Sequence, residues 1–217
     1  KMANRLQKMG QANYRNGFEV TCHPHELERP KRWRKPERIF VCSMADLFHE
    51  RLTEVQIAAV FAAMALAPQH VFQALTKRAS RMRAWFEWFD FRSNTTSPGD
   101  VLSSSLEQVA PGVLDEDHHN ALVNVVNGYA RWRGAPDDGK PLDGRLPRWP
   151  LPHVWLGVST EDQATADERI PLLLECPAAV RWISAEPLLG PIGLVRGLAG
   201  AVARRIFREN GGRDEAT

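Results

Sequence analysis

Apolar residues along this chain fall into two kinds of run. Five short stretches are nearly continuous in apolar, β-branched and aromatic residues: FEVTC (18–22), RIFVCS (38–43), HVFQALT (70–76), HVWLGVS (153–159) and VRWISAE (180–186). Such runs predict parallel strands covered on both faces, because a half-exposed antiparallel strand alternates apolar and polar positions. Helical periods lie between them. In LTEVQIAAVFAAMALA (52–67), Thr53 and Gln56 make a capping-box start, Ile57, Val60, Phe61 and Met64 recur at helical spacing, and Pro68 ends the run. RASRMRAWFEWF (78–89) puts Met82, Trp85, Phe86 and Phe89 on one side. EDQATADERIPLLLEC (161–176) follows the fourth strand, with Pro171 expected to bend or restart it. Strand followed by helix, repeated, predicts an α/β fold with a parallel sheet.

The interval 92–149 breaks this rhythm. It opens with RSNTTSPGD, carries one amphipathic run, LDEDHHNALVNVVNGYARW (114–132), and closes in a Gly- and Pro-rich stretch. A crossover needs nothing so long, so the interval reads as an inserted helix between loops. The expected organisation is one α/β unit over 1–194, with the insertion at about 92–149, followed by a divergent tail at 195–217 with the Gly- and Arg-rich composition of a disordered segment. The opening KMANRLQKMGQ reads as mid-helix, which suggests a cut or incomplete start.

Composition narrows the function classes. In 217 residues, 43% are hydrophobic and 25% charged, with a net charge of +2, so no global field argues for nucleic acid or membrane. No run approaches the roughly 18 apolar residues of a membrane span, and no secretory leader is visible. Cys22, Cys42 and Cys176 lie far apart, as buried small hydrophobes do in a reducing, cytoplasmic compartment.

Ligands of parallel α/β sheets bind at the carboxyl ends of the strands. Those ends carry Thr21 and His23, Ser43 and Asp46, Thr76 and Lys77, Ser159, Thr160 and Glu161, and Ser184 and Glu186. Ser43 and Ser159 serve equally as helix caps. Lys77 is harder to place, since a cation at a helix amino end opposes the macrodipole and calls for an anion, either a carboxylate or a phosphate. Glu186 precedes Pro187, which holds it in extended geometry at the sheet mouth, where it can meet amines, ribose hydroxyls or a surface cation. His23-Pro24-His25-Glu26 looks like a metal cluster, but the proline keeps the two histidines from facing one ion. His118 and His119 are adjacent and point to different sides of a helix. Residues 29–38, RPKRWRKPER, gather basic side chains around Trp33. Arg32, Trp33, Arg34 and Lys35 form either a nucleic-acid patch or a solvent-facing connection.

Three long motifs carry a family resemblance. RIFVCSMADLFHE with MALAPQHVFQALTKRASRM, then LPHVWLGVSTEDQATADERIPLLL, then VRWISAEPLLGPI, together resemble the phage gene product thirty-seven/sixty-eight proteins. That family is similar to a three-cysteine-motif branch of the radical-S-adenosylmethionine (radical-SAM) enzymes near spore photoproduct lyase. The resemblance implies a partial (β/α) barrel of parallel strands with a helical insertion. It implies S-adenosylmethionine bound against a [4Fe–4S] cluster, and a radical abstracting hydrogen from a nucleobase or nucleic acid. By motif position it makes Ser43, Lys77, Ser159 and Glu186 cofactor-binding residues, with Lys77 on the methionyl carboxylate. It leaves Asp46, Thr76 and Glu161 as further cofactor or substrate contacts.

The family's cysteine motif has no counterpart in this sequence, so a cluster is not expected in this chain. The resulting expectation is a fragment or degenerate copy of a radical-SAM-like enzyme, short of a missing amino-terminal segment or a partner protein. Two alternatives stand beside it: a non-catalytic nucleic-acid-binding module, and a cluster-free α/β enzyme that holds a phosphorylated metabolite at Lys77.

Overall fold

The computed structural model describes residues 2–120, 122–123 and 150–194. Four parallel strands, β1 (Arg38–Val41), β2 (Val71–Thr76), β3 (Val154–Ser159) and β4 (Val180–Ser184), form one sheet in the order β1-β2-β3-β4. Each neighbouring pair is parallel, with Phe40 opposite Gln73, Gln73 opposite Trp155, and Gly157 opposite Trp182. Strand order equals chain order, so successive crossovers of one hand stack their helices on one side of the sheet.

Those helices are α3 (Glu54–Ala65) between β1 and β2, α4 (Ala79–Thr95) and α5 (Pro98–Val109) between β2 and β3, and α6 (Gln163–Glu175) between β3 and β4. Two short helices, α1 (Met2–Lys8) and α2 (Arg29–Arg32), precede the sheet. The Thr53–Gln56 capping box is present as the sequence pattern indicates. The core lies between the helices and one face of the sheet. Phe72, Ala74, Val154, Leu156 and Val158 meet Ile57, Phe61 and Met64 of α3, Met82, Trp85 and Phe89 of α4, and Leu102 and Leu106 of α5. Trp85 is its centre, stacked on Phe61 at 4.5 Å and on Phe89 at 5.3 Å, with its indole N–H donating to the Glu54 carbonyl.

The opposite face is covered differently from the sequence expectation. Phe40, Leu75, Trp155, Val180 and Trp182 point away from the core cluster, while their strand neighbours Ile39, Val41 and Ile183 pack onto it. Phe40 is 42% exposed. Among the described residues, the helices shield one face only, and aromatic side chains supply the apolar content that made the strands look doubly buried.

Three other expectations are corrected. Residues 18–22 (FEVTC) form no strand. Asn16-Gly17 makes a turn instead, with Gly17 at a φ of 63°, the Glu19 N–H bonding back to the Asn16 carbonyl, and Phe18 76% exposed. Asn-Gly is strong turn chemistry, and here it overrides the β-propensity of its neighbours. The stretch RSNTTSPGD is not a loop. α4 runs through it to Thr95, and α5 starts at once from Ser97, whose hydroxyl accepts from the Asp100 N–H in a second capping box with Pro98 at the first turn. Pro171 does not restart its helix, since α6 runs through it without a break from Gln163 to Glu175. The amphipathic run at 114–132 is helical at 116–120; most of its remainder and the tail at 195–217 lie outside the described residues.

Candidate functional site

The carboxyl ends of β1, β2 and β3 are tied together by two carboxylates. Asp46, in the connection after β1, accepts from the Thr76 hydroxyl at 2.8 Å, the Phe48 N–H at 2.9 Å and the Arg78 guanidinium at 3.0 Å. The Lys77 N–H also donates to it, at 3.3 Å. Cys42 turns the chain into this connection with a φ of 56°, in the left-handed region that a non-glycine residue rarely adopts. Thr76 also accepts from the Arg78 N–H, so one buried hydroxyl closes the turn and holds the acid.

Glu161, just past β3, is the second node. It takes the Lys77 ammonium, the Arg169 guanidinium at 3.0 Å and the Ser159 hydroxyl at 3.3 Å. The bonded Lys77 ammonium, with Arg169 beside it, holds the Glu161 carboxyl below the usual carboxylate range against the opposite pull of burial. Arg169 reaches back from α6 to bond the Ser159 carbonyl at 2.7 Å as well. Asp162 caps α6 through Thr165, which fixes where Glu161 leaves the strand. Lys77 therefore links both nodes, by its backbone to Asp46 and by its side chain to Glu161.

The segment after β4 folds over this turn. The Glu186 carbonyl accepts from Ser159 at 3.3 Å, and the Leu189 N–H donates to the Glu161 carbonyl at 2.7 Å. The Glu186 carboxylate is exposed and has no partner among the described residues. Of the residues singled out in the sequence, the structure joins Asp46, Thr76, Lys77, Ser159 and Glu161 in one network, with Glu186 attached through its backbone. Ser43 lies exposed in the turn after β1, bonded to no described residue. Thr21 and His23 end no strand. Arg78 and Arg169 were missed; Arg169 stands eight residues beyond Glu161, a spacing that points to it only once the helix register is known.

The basic segment is largely committed internally. Arg29 pairs with Glu26, Arg32 with Glu28, Lys31 approaches His118, and the Arg38 guanidinium sits over Trp155. Trp33 packs edge-on against His70. Arg34 and Lys35 have no partner among the described residues.

The cysteines do not fit an iron–sulfur cluster, which needs several thiolates at one place. Cys176 is buried with its thiol directed at the Leu172 carbonyl, and burial pushes it up to about 12. Burial likewise pushes Cys42 up to about 11 and raises Cys22. Among the described residues, no group of three His, Cys, Asp or Glu side chains could hold a metal ion, and no helix is long and apolar enough to cross a membrane.

No curated protein and no solved structure matches the chain significantly. A family model described as "Protein of unknown function (DUF5131)" matches residues 1–201, nearly all of the sequence whose strand ends build this network. The chain belongs to that family.

Proposed function

We propose that the carboxyl edge of the sheet is a binding mouth for S-adenosylmethionine, in a partial barrel of radical-SAM ancestry. The observation that carries this reading is the convergence of Lys77, Ser159 and Glu161 at the ends of adjacent parallel strands, next to Glu186, whose carboxylate has no partner among the described residues. A zwitterion finds both signs of charge there. Lys77, whose side chain is 55% exposed, faces the methionyl carboxylate. Glu186 offers an acceptor to the ammonium or the ribose hydroxyls, and Ser43 lines the β1 side. Bound there, the cofactor supplies an electrophilic sulfonium. Asp46, Thr76 and Glu161 position Lys77 and keep its ammonium at the strand ends.

Titration calorimetry tests the reading with S-adenosylmethionine and, separately, ribose 5-phosphate. The expected result is saturable heat with S-adenosylmethionine, weakened about tenfold or more in Lys77→Ala, as for a lost charged hydrogen bond. Heat with ribose 5-phosphate alone, lost in the same variant, would replace it with a phosphorylated-metabolite site. Heat with neither ligand overturns both.

A further inference from the structure

The second face of the sheet has a composition of which the strand-end network uses only Ser159. Its strand positions are Arg38 and Phe40 on β1, Val71, Gln73 and Leu75 on β2, Trp155, Gly157 and Ser159 on β3, and Val180, Trp182 and Ser184 on β4. Three aromatic rings stand among them, one on β1, one on β3 and one on β4. Phe40 and Trp182 lean towards each other across the two middle strands and meet edge to face at 6.3 Å. Trp182 lies on Gly157, and its indole N–H is buried with no acceptor among the described residues. The only charged side chain on these positions is a cation, Arg38, whose guanidinium sits over Trp155 at 5.7 Å. No carboxylate stands at these strand positions, and Arg34 and Lys35, without a partner among the described residues, lie on the chain that leads into β1.

Partly exposed aromatic rings, hydrogen-bonding Gln73 and Ser184, and positive charge without negative charge complement a polyanion that presents unstacked bases. A duplex does not fit, because its bases are stacked inside and unavailable to aromatic side chains on a sheet face. We infer that this face binds single-stranded nucleic acid, with bases against Phe40, Trp155 and Trp182 and backbone phosphates towards Arg34, Lys35 and Arg38. The inference is independent of the cofactor proposal, since none of the three aromatic side chains belongs to the Asp46–Lys77–Glu161 network.

Fluorescence anisotropy of a 5′-fluorescein-labelled oligothymidylate of about 12 nucleotides tests it. The full chain is expected to bind at about 50 mM salt and to weaken steeply towards about 200 mM. Phe40→Ala should weaken binding about tenfold, as loss of a base-stacking ring does. Arg34→Ala with Lys35→Ala should flatten the salt dependence. Phe40 lies outside the core, so its variant should keep the wild-type melting temperature; Arg38→Ala provides a second exposed position if it does not. Absence of binding at low salt overturns the inference. So does binding that ignores both Phe40→Ala and Arg38→Ala, or that an unlabelled duplex competes away as well as an unlabelled single strand.

Discussion

The indole of Trp182 lies on the Cα of Gly157, so close that an added Cβ would stand 2.4 Å from the ring. The two residues are register partners on β3 and β4. Only a residue without a side chain lets the ring lie flat over its neighbour strand. From there it reaches towards Phe40 on the far edge of the sheet, and the contact shapes the aromatic face.

Gly157→Ala should therefore destabilise the fold by about 1–3 kcal/mol, because neither strand backbone nor a packed indole gives way cheaply. Combining it with Trp182→Ala should cost less than the sum of the two single changes. Urea denaturation of the four proteins measures the coupling, and simple additivity would show that the ring does not pack as described.

Lys77 and Glu161 should respond unequally to substitution. Lys77→Met leaves Glu161 with Arg169 and Ser159, and should cost less than about 1 kcal/mol for a half-exposed partner. Glu161→Leu leaves two cations without their shared acid, one of them on the 14% exposed Arg169, and should cost about 2 kcal/mol or more. Denaturation midpoints give the comparison, and equal losses would contradict the described sharing.

Stability should fall in mild acid. Burial, with His70 nearby, lowers the pKa of His153 below its ordinary value of 6.5, while its Nε2 bond to the Met64 carbonyl pulls the other way. The unfolded chain therefore takes up this proton before the folded one, and stability is lost as pH falls below 6.5. Melting temperatures at about pH 7.5 and about pH 5.5 should show the decline, and His153→Gln should reduce it. Glu161 acts in a separate window: its folded value lies below 4.5, so its contribution is present at neutral pH and disappears only in stronger acid.

Ser97→Ala should cost about 1 kcal/mol, since the hydroxyl caps the Asp100 N–H at the start of α5. Restoration by Ser97→Asp, which keeps an acceptor there, would identify the cap as the cause. A neutral Ser97→Ala would remove it.

Much of this architecture was legible along the chain. Four of the five apolar runs are strands, α3 starts at its capping box, and helices follow β1, β2 and β3, because hydrophobic period and cap chemistry are local properties. Two misreadings were also local. Ahead of FEVTC the Asn-Gly turn outweighs propensity, and in RSNTTSPGD the Ser-Pro-Gly-Asp residues that suit a loop also cap a helix. The strand-end polar residues were visible as a series, but their connections were not. Lys77 called for an anion, and nothing in the linear order named Glu161, 84 residues away, as the one that meets it.

The one-dimensional pattern thus places the four strands, the helices that follow β1 and β3, the start of α4 and the polar residues at the ends of these strands, since all depend on neighbours within a few positions. Tertiary structure decides that Lys77 joins Asp46 to Glu161 and that Gly157 seats Trp182. It also decides that one sheet face lies under helices while the other displays aromatic rings. Those outcomes depend on strand order and register, which bring distant residues within bonding distance and cannot be read from local periodicity.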